Sequence, residues 1–242
     1  MSQKQMTIKH SVKTKCTEHK QKSFHDIILE SFENVTYSLA SAGFLGIALL
    51  QLVATVFAIV TEDTSAALSN SLGSSVCLIA GYHYKWMRGK NEDNMSIIAT
   101  RYSDWYITTI LMLVEFFNLA GTLQSKWQWL LASCLSCELM ILSGHIATVR
   151  QQNQLSYYYT FGAGILFGLV LITCYTFGTI VDKPENYTMK NNDWMHIFAV
   201  LWIFYPVAFW AQKYKNLAYN IFDIYSKGIF GIVLAILTFI SE

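Results

Sequence analysis

The last apolar segment of this sequence contains two ionisable residues of opposite charge. Asp223 and Lys227 stand four positions apart between Asn216 and Ile240, and this spacing places both on one face of a helix, about one turn apart. A charge inside a membrane costs at least a few kcal/mol, so such residues indicate a functional site. A buried lysine also has an accessible neutral form, which can condense with a carbonyl compound as a Schiff base.

An earlier apolar segment carries a second set of polar side chains, Arg101, Asp104, Thr108 and Glu115. At about 100° per residue, Asp104 and Glu115 point within roughly 20° of each other and lie about 16 Å apart along the helix axis. Two carboxylates arranged in this way suit proton transfer through a membrane, where they act as successive stations. Hydrogen bonding between helices is the alternative explanation, but it accounts less well for this many charges.

The charges of four of these residues cancel. Arg101 and Lys227 can offset Asp104 and Asp223 if all four face one cavity. A buried set of charges is tolerable when it is paired in this way.

The composition places these charges in a membrane protein. Of the 242 residues, 53% are hydrophobic and 14% are charged, whereas about one-quarter are charged in a soluble domain. Seven apolar runs approach or exceed the length of about 20 residues that a membrane-spanning helix needs. They cover residues 35–60, 65–88, 96–120, 127–148, 156–180, 193–212 and 217–240. Their short joints predict antiparallel neighbours, so the expected fold is an all-α membrane protein with a seven-transmembrane-helix bundle.

The sequence divides into a tail and one transmembrane domain. Residues 1–33 are polar and rich in lysine, lack the apolar core of a secretory signal, and favour a tail with a short helix around residues 24–32. Residues 34–242 form the predicted domain. Cys134 and Cys137 resemble a C-x-x-C pair, but no second pair accompanies them, so we predict no metal site. The net charge of +1 gives no indication of a nucleic-acid partner.

Four motifs occur in order on the second, third, sixth and seventh segments. They read Tyr82-His-Tyr-Lys-Trp-Met-Arg-Gly89, Arg101-Tyr-Ser-Asp-Trp-Tyr-Ile-Thr-Thr109, Trp202-Ile-Phe-Tyr-Pro206 and Tyr219-Asn-Ile-Phe-Asp-Ile-Tyr-Ser-Lys-Gly-Ile-Phe-Gly231. Together they resemble the signatures of the microbial (type 1) rhodopsins, and most closely those of the proteorhodopsin proton pumps.

This resemblance implies a set of residue roles. All-trans retinal would be bound covalently to Lys227 as a protonated Schiff base. Asp104 would be the primary counterion and proton acceptor, and Asp223 the second counterion. Arg101 would be the cation of the exit-side charge network, and Glu115 the proton donor. Asp104, Thr108 and Glu115 match the family's D-T-E triplet. A donor must hold its proton until it is needed, and burial favours the neutral form of a carboxyl group. His83 matches the histidine beside the acceptor, where it would tune the titration of Asp104.

The resemblance also implies an apolar slot for retinal. The expected wall residues are Trp105, Thr109, Met112, Gly144, Trp202, Tyr205, Pro206 and Phe209. An apolar residue at Met112 suggests a green-absorbing pigment, and Phe161 stands where carotenoid-antenna relatives have glycine, so no antenna is expected. Tyr84, Tyr102 and Tyr205 are candidate hydroxyl partners of the charged cluster. Glu138 has no role in this pattern.

The leading hypothesis is a light-driven outward proton pump, a transporter rather than an enzyme, in the plasma membrane. Its expected partners are retinal, protons, the lipid bilayer and further copies of the chain in a pentamer or trimer. The alternatives are a photosensory rhodopsin or a light-gated ion channel with the same chromophore and, outside the family, a seven-helix receptor that does not respond to light.

The orientation in the membrane has two conflicting indications. The family resemblance implies an N-terminus outside. Lysine and arginine are instead more frequent on the N-terminal side of the bundle, and such residues favour the inside. In addition to the tail lysines, that side has Lys85, Arg88, Lys90, Arg150, Lys213 and Lys215, against Lys126, Lys183 and Lys190 on the other.

Overall fold

The computed structural model describes residues 23–89, 95–150, 153–181, 194–202, 204–210 and 214–240. Its α-helices are α1 Phe24–Val60, α2 Thr64–Met87, α3 Met95–Leu119, α4 Trp127–Val149, α5 Gln154–Thr179, α6 Trp194–Leu201, α7 Phe204–Trp210, α8 Lys215–Asp223 and α9 Phe230–Ile240. The helices α6 and α7 share the sixth predicted segment, and α8, a π-helical turn and α9 share the seventh. The predicted all-α seven-helix bundle is therefore confirmed. Residues 1–22 of the predicted tail, and Lys90, Lys183, Lys190 and Lys213, lie outside these ranges.

The first helix is longer than the apolar run alone indicates. Ser23 and Asp26 form a capping box, in which the Ser23 hydroxyl accepts from the Asp26 N–H at 3.2 Å and the Asp26 carboxylate accepts from the Ser23 N–H. Such a box satisfies two backbone donors that a helix start otherwise leaves unpaired. The short helix expected around residues 24–32 and the apolar run 35–60 are consequently one continuous helix.

Pro206 interrupts the helix of the sixth segment. A proline ring has no N–H and clashes with the carbonyl group four residues earlier, here that of Trp202. The Tyr205 N–H instead donates to the Trp202 carbonyl at 3.2 Å, and α7 begins at Phe204. The predicted single helix 193–212 is thus two shorter helices in the part of the chain that the structure describes.

The seventh segment contains a π-helical turn, Ile224–Ile229, between α8 and α9. Lys227 lies within this turn, and π turns of this kind are frequent at functional sites. Asp223 ends α8 directly before it. The turn changes the direction in which the following side chains point, so the regular helix predicted over 217–240 is locally wrong at the lysine.

The polar residues of the bundle lie between two groups of buried apolar side chains. One group joins α3 to α4, α5, α7 and α9 around Phe116, and the other joins α1 to α2 and α3 around Phe44 and Tyr84. Large apolar side chains such as Leu49, at 63% exposure, cover the outer surface. Four described stretches are long and apolar enough to cross a membrane by themselves: α1, α4, α5 and Lys215–Ile240.

Candidate functional site

Lys227 is the centre of a buried charge cluster. Its Nζ atom donates a hydrogen bond to Asp104 Oδ2 at 2.6 Å and lies 3.7 Å from Asp223 Oδ2. The lysine and both aspartates are each at most 3% exposed. One cation therefore faces two carboxylates, from α3 and from the end of α8, and only Asp104 is within hydrogen-bonding distance of it.

Asp223 is held by hydrogen-bond donors from three other helices. The Tyr84 hydroxyl donates to its Oδ2 at 2.7 Å, and the Tyr205 hydroxyl donates to its Oδ1 at 2.5 Å. The Trp105 indole N–H approaches Oδ2 at 3.5 Å. These donors occupy both carboxyl oxygens and hold the Asp223 side chain in place.

Arg101 connects to this cluster through a tyrosine. Its Nη2 atom donates to the Tyr37 hydroxyl at 3.0 Å and to Asn220 Oδ1 at 2.9 Å, while Nη1 approaches the Tyr84 hydroxyl at 3.5 Å. Within the described ranges, Arg101 forms no ion pair with a carboxylate. Arg101 therefore reaches Asp223 through the Tyr84 hydroxyl, which is one of the predicted partners of the cluster, and not by direct contact.

The remaining predicted residues near the acceptor take different positions. His83 Nδ1 lies 3.4 Å from Asp104 Oδ1, and the histidine side chain is 16% exposed, so it connects the acceptor to the less buried edge of α2. The Thr108 hydroxyl donates to the backbone carbonyl of Asp104 at 2.8 Å. Tyr102 does not join the cluster as expected, because its hydroxyl pairs with Thr148 at 2.9 Å.

Glu115 is separate from the charge cluster. It lies in the C-terminal half of α3 and is 1% exposed, and its Oε1 atom has no hydrogen-bond partner among the described residues. Because α3 is an unbroken helix, the predicted separation from Asp104 of about 16 Å holds. The helix therefore presents one carboxyl group beside Lys227 and a second, unpaired one much nearer its other end.

An apolar cavity extends from Lys227 into the bundle. Its volume is about 100 Å³. All eight predicted wall residues line it: Trp105, Thr109, Met112, Gly144, Trp202, Tyr205, Pro206 and Phe209. The cavity is a narrow apolar space with one buried amine at its end.

The sequence interpretation missed part of this wall. Ile141, Gly164, Ile165, Tyr219 and Ser226 also line the cavity. Phe161 lines it too, stacked on Phe209 with ring centroids 5.3 Å apart. Their types are common in any apolar core, and only the pairing of helices identifies which of them face the lysine.

Bacteriorhodopsin-like proteins share a sequence pattern that matches residues 34–241 of this chain. The chain belongs to this family. Its predicted membership of the microbial rhodopsins is confirmed, and the apolar helices are those of an integral membrane protein.

Individual relatives cover most of this rhodopsin. It is 28% identical over 239 residues to the green-light absorbing proteorhodopsin of the gamma-proteobacterium EBAC31A08, covering 86% of this chain and 87% of that protein. It is 29% identical over 153 residues to bacteriorhodopsin-I of Haloquadratum walsbyi, covering 58% of each. The crystal structure of Exiguobacterium sibiricum rhodopsin superposes with a TM-score of 0.71 at 20% identity, covering 85% of this chain and 95% of that one.

The cavity of this rhodopsin fits the retinal chromophore that the family implies. A polyene aldehyde needs a long apolar space and an amine that can reach its carbonyl carbon. Lys227 supplies the amine, and the aromatic rings of the wall supply the apolar space. The residues present therefore fit this group.

Proposed function

We propose that this rhodopsin is a light-driven outward proton pump with retinal bound covalently to Lys227, Asp104 as proton acceptor and Glu115 as proton donor. One observation carries the proposal: a buried amine lies 2.6 Å from one carboxylate at the end of an apolar cavity, and a second buried carboxyl group lies on the same helix. The relatives named as proteorhodopsin and bacteriorhodopsin support a light-driven ion transporter rather than an enzyme.

Retinal bound as a Schiff base would supply light absorption and a bond rotation that redirects the Lys227 N–H. The protein supplies the acceptor, since Asp104 Oδ2 already accepts a hydrogen bond from Nζ. A proton can pass along this contact without a rearrangement of either carboxylate. The apolar wall excludes water from the amine, which prevents uncontrolled proton exchange.

The two aspartates have different roles because their hydrogen bonds differ. Asp223 accepts from Tyr84 and Tyr205, and these bonds are strongest while it is charged. It serves as a fixed counterion, which holds the positive charge at Lys227. Asp104 lacks hydroxyl donors of this kind among the described residues, so it is the better acceptor.

Glu115 gives the transport its direction. It lies far from Asp104 along α3 and is buried away from the charge cluster. A proton that leaves Lys227 toward Asp104 and is replaced from Glu115 moves in one direction along the bundle. Outward transport requires the Asp104 end to face the outside, in a plasma membrane. We also propose a homo-oligomer, a pentamer or trimer, on the family resemblance.

The experiment measures the pH of an unbuffered suspension of cells that express the protein with all-trans retinal. Light should acidify the medium, and a protonophore should abolish the change. The Lys227→Ala variant should show neither the visible absorption band nor the pH change. Alkalinisation would overturn outward transport, and a visible band without any pH change would identify a sensor instead. Retention of the band in Lys227→Ala would refute the covalent attachment.

A further inference from the structure

Gln51 is a buried amide that no role described above uses. It lies in the second half of α1 and is 0% exposed, yet neither Nε2 nor Oε1 has a hydrogen-bond partner among the described residues. Leaving a buried polar group unpaired costs about 1–3 kcal/mol. Two unpaired atoms on one side chain therefore indicate a partner that acts during function or a bridging water.

Glu115 is the polar group that Gln51 can reach. A Cβ atom added to Gly73 of α2 would overlap the Gln51 Nε2 atom and would lie 2.9 Å from Glu115 Oε1. The amide and the carboxyl group therefore both border the same point beside Gly73. Both are buried, both are unpaired, and they are close enough for a direct or single-water hydrogen bond.

Two glycines create the space in which this amide lies. Gly73 borders it on α2, and Gly231 borders it on α9, where an added Cβ atom would lie 3.0 Å from Gln51 Oε1 and Cδ. Gly231 lies two residues beyond the π-helical segment and four residues after Lys227. The amide thus lies between the helix that carries the proposed donor and the helix that carries the lysine.

We infer that Gln51 positions the Glu115 carboxyl group and stabilises it in both protonation states. The inference rests on the proposed role of Glu115 as donor. Gln51 Nε2 lies on the side of Gly73 and Glu115, and Oε1 lies on the side of Gly231. A half-turn of the amide exchanges the two atoms, so the O–H of a protonated Glu115 can donate to Gln51 Oε1; once Glu115 has lost the proton, the Nε2–H in its present orientation can donate to the carboxylate. The second bond is the stronger, because its acceptor is charged. Gln51 therefore promotes proton release from Glu115 toward Lys227.

The test combines infrared spectroscopy of the Glu115 carbonyl with the rate at which Lys227 regains its proton after a flash. The Glu115 band is identified in the dark retinal-bound protein by its loss in Glu115→Gln. Gln51→Leu should shift this band to higher frequency and slow the proton return about tenfold, the factor for one ordinary hydrogen bond. Gly73→Ala should have the same direction of effect but is less selective, because its methyl group displaces the amide and would also lie 2.9 Å from Glu115 Oε1.

A rescue variant and a control separate positioning from simple destabilisation. In Gln51→Ala/Gly73→Ser, the new hydroxyl stands beside Glu115 and should return the band and the rate toward the original values. Ser41→Ala removes another buried polar group of α1, whose hydroxyl donates to the Gly81 carbonyl at 3.0 Å, and should change neither.

The two possible failures are distinguishable. If Gln51→Leu and Gly73→Ala leave the Glu115 band in place, the inference is overturned and the donor role stands. If Glu115→Gln itself leaves the rate of proton return unchanged, the donor role on which the inference rests is overturned with it.

Discussion

Replacing Asp104 by asparagine tests the division of roles between the two aspartates. The variant leaves Asp223 as the one carboxylate that the structure shows close to Lys227, with its Oδ2 atom 3.7 Å from Nζ. That distance exceeds a hydrogen bond. Asp223 is also occupied, because Tyr84 and Tyr205 donate to its two oxygens at 2.7 and 2.5 Å. We therefore expect Asp223 to accept a proton poorly in place of Asp104.

The size of the effect follows from these two bonds. A hydrogen bond contributes about 1.5–3 kcal/mol to a charged group and about 0.5–1.5 kcal/mol to a neutral one, so a proton on Asp223 weakens its two bonds by about 2–3 kcal/mol in total. Since about 1.4 kcal/mol corresponds to a factor of ten in rate, proton loss from Lys227 should slow by about 30- to 100-fold. Light-driven acidification should fall to the same extent.

Flash spectroscopy of the transient loss of the Lys227 proton measures this rate directly, alongside the pH of illuminated vesicles. Asp223→Asn is the matched control, and it should retain the fast transfer to Asp104. In the Asp104→Asn background, Tyr84→Phe removes one bond to Asp223 and should restore the rate about tenfold. The reasoning is refuted if Asp104→Asn keeps more than about a tenth of the original rate, or if Tyr84→Phe slows it further.

Three further predictions concern packing, colour and the arginine network. Gly178→Ala should lower the melting temperature by the equivalent of about 1–3 kcal/mol, because its Cβ would overlap a buried phenylalanine ring, whereas Gly162→Ala, with nothing within 4 Å, should be neutral or stabilising; equal melting temperatures would contradict this. Met112→Gln should move the absorption maximum to shorter wavelength, as the family resemblance implies, and an unchanged spectrum would count against that position. Asn220→Leu removes an acceptor 2.9 Å from Arg101 Nη2 and should cost about 1–3 kcal/mol, seen as earlier thermal loss of the visible band; an unaltered transition would show that water replaces the amide.

The sequence alone predicted the architecture and most of the residues of the candidate site. Seven apolar runs specify seven spans, because a helix that crosses a bilayer must be apolar over a known length. A charge inside such a run is costly, so Asp104, Glu115, Asp223 and Lys227 stood out before any contact was known. The same reasoning did not identify Gln51, because an uncharged amide gives no signal in a sequence. Only the structure shows that this amide is buried and that its polar atoms lack hydrogen-bond partners among the described residues.

Tertiary structure decided which charges meet and which remain apart. Helical spacing alone placed Arg101 near the aspartates, but Tyr84 of another helix lies between Arg101 and Asp223. The hydroxyl of Tyr102 likewise does not reach the charge cluster, because Thr148 of a neighbouring helix pairs with it at 2.9 Å.

The sequence analysis missed the break before Pro206 and the start of α1 after Ser23, although both have a local cause: a proline ring that clashes with a carbonyl group and a serine that caps a helix. The π-helical turn at Lys227 has no comparable local signal, since its geometry depends on how the helix packs against α1, α2 and α6.

Sequence patterns thus determined which side chains the membrane would force into the interior of the bundle. Only the packing of the helices determined the 2.6 Å contact between Lys227 and Asp104, because that distance joins residues more than a hundred positions apart.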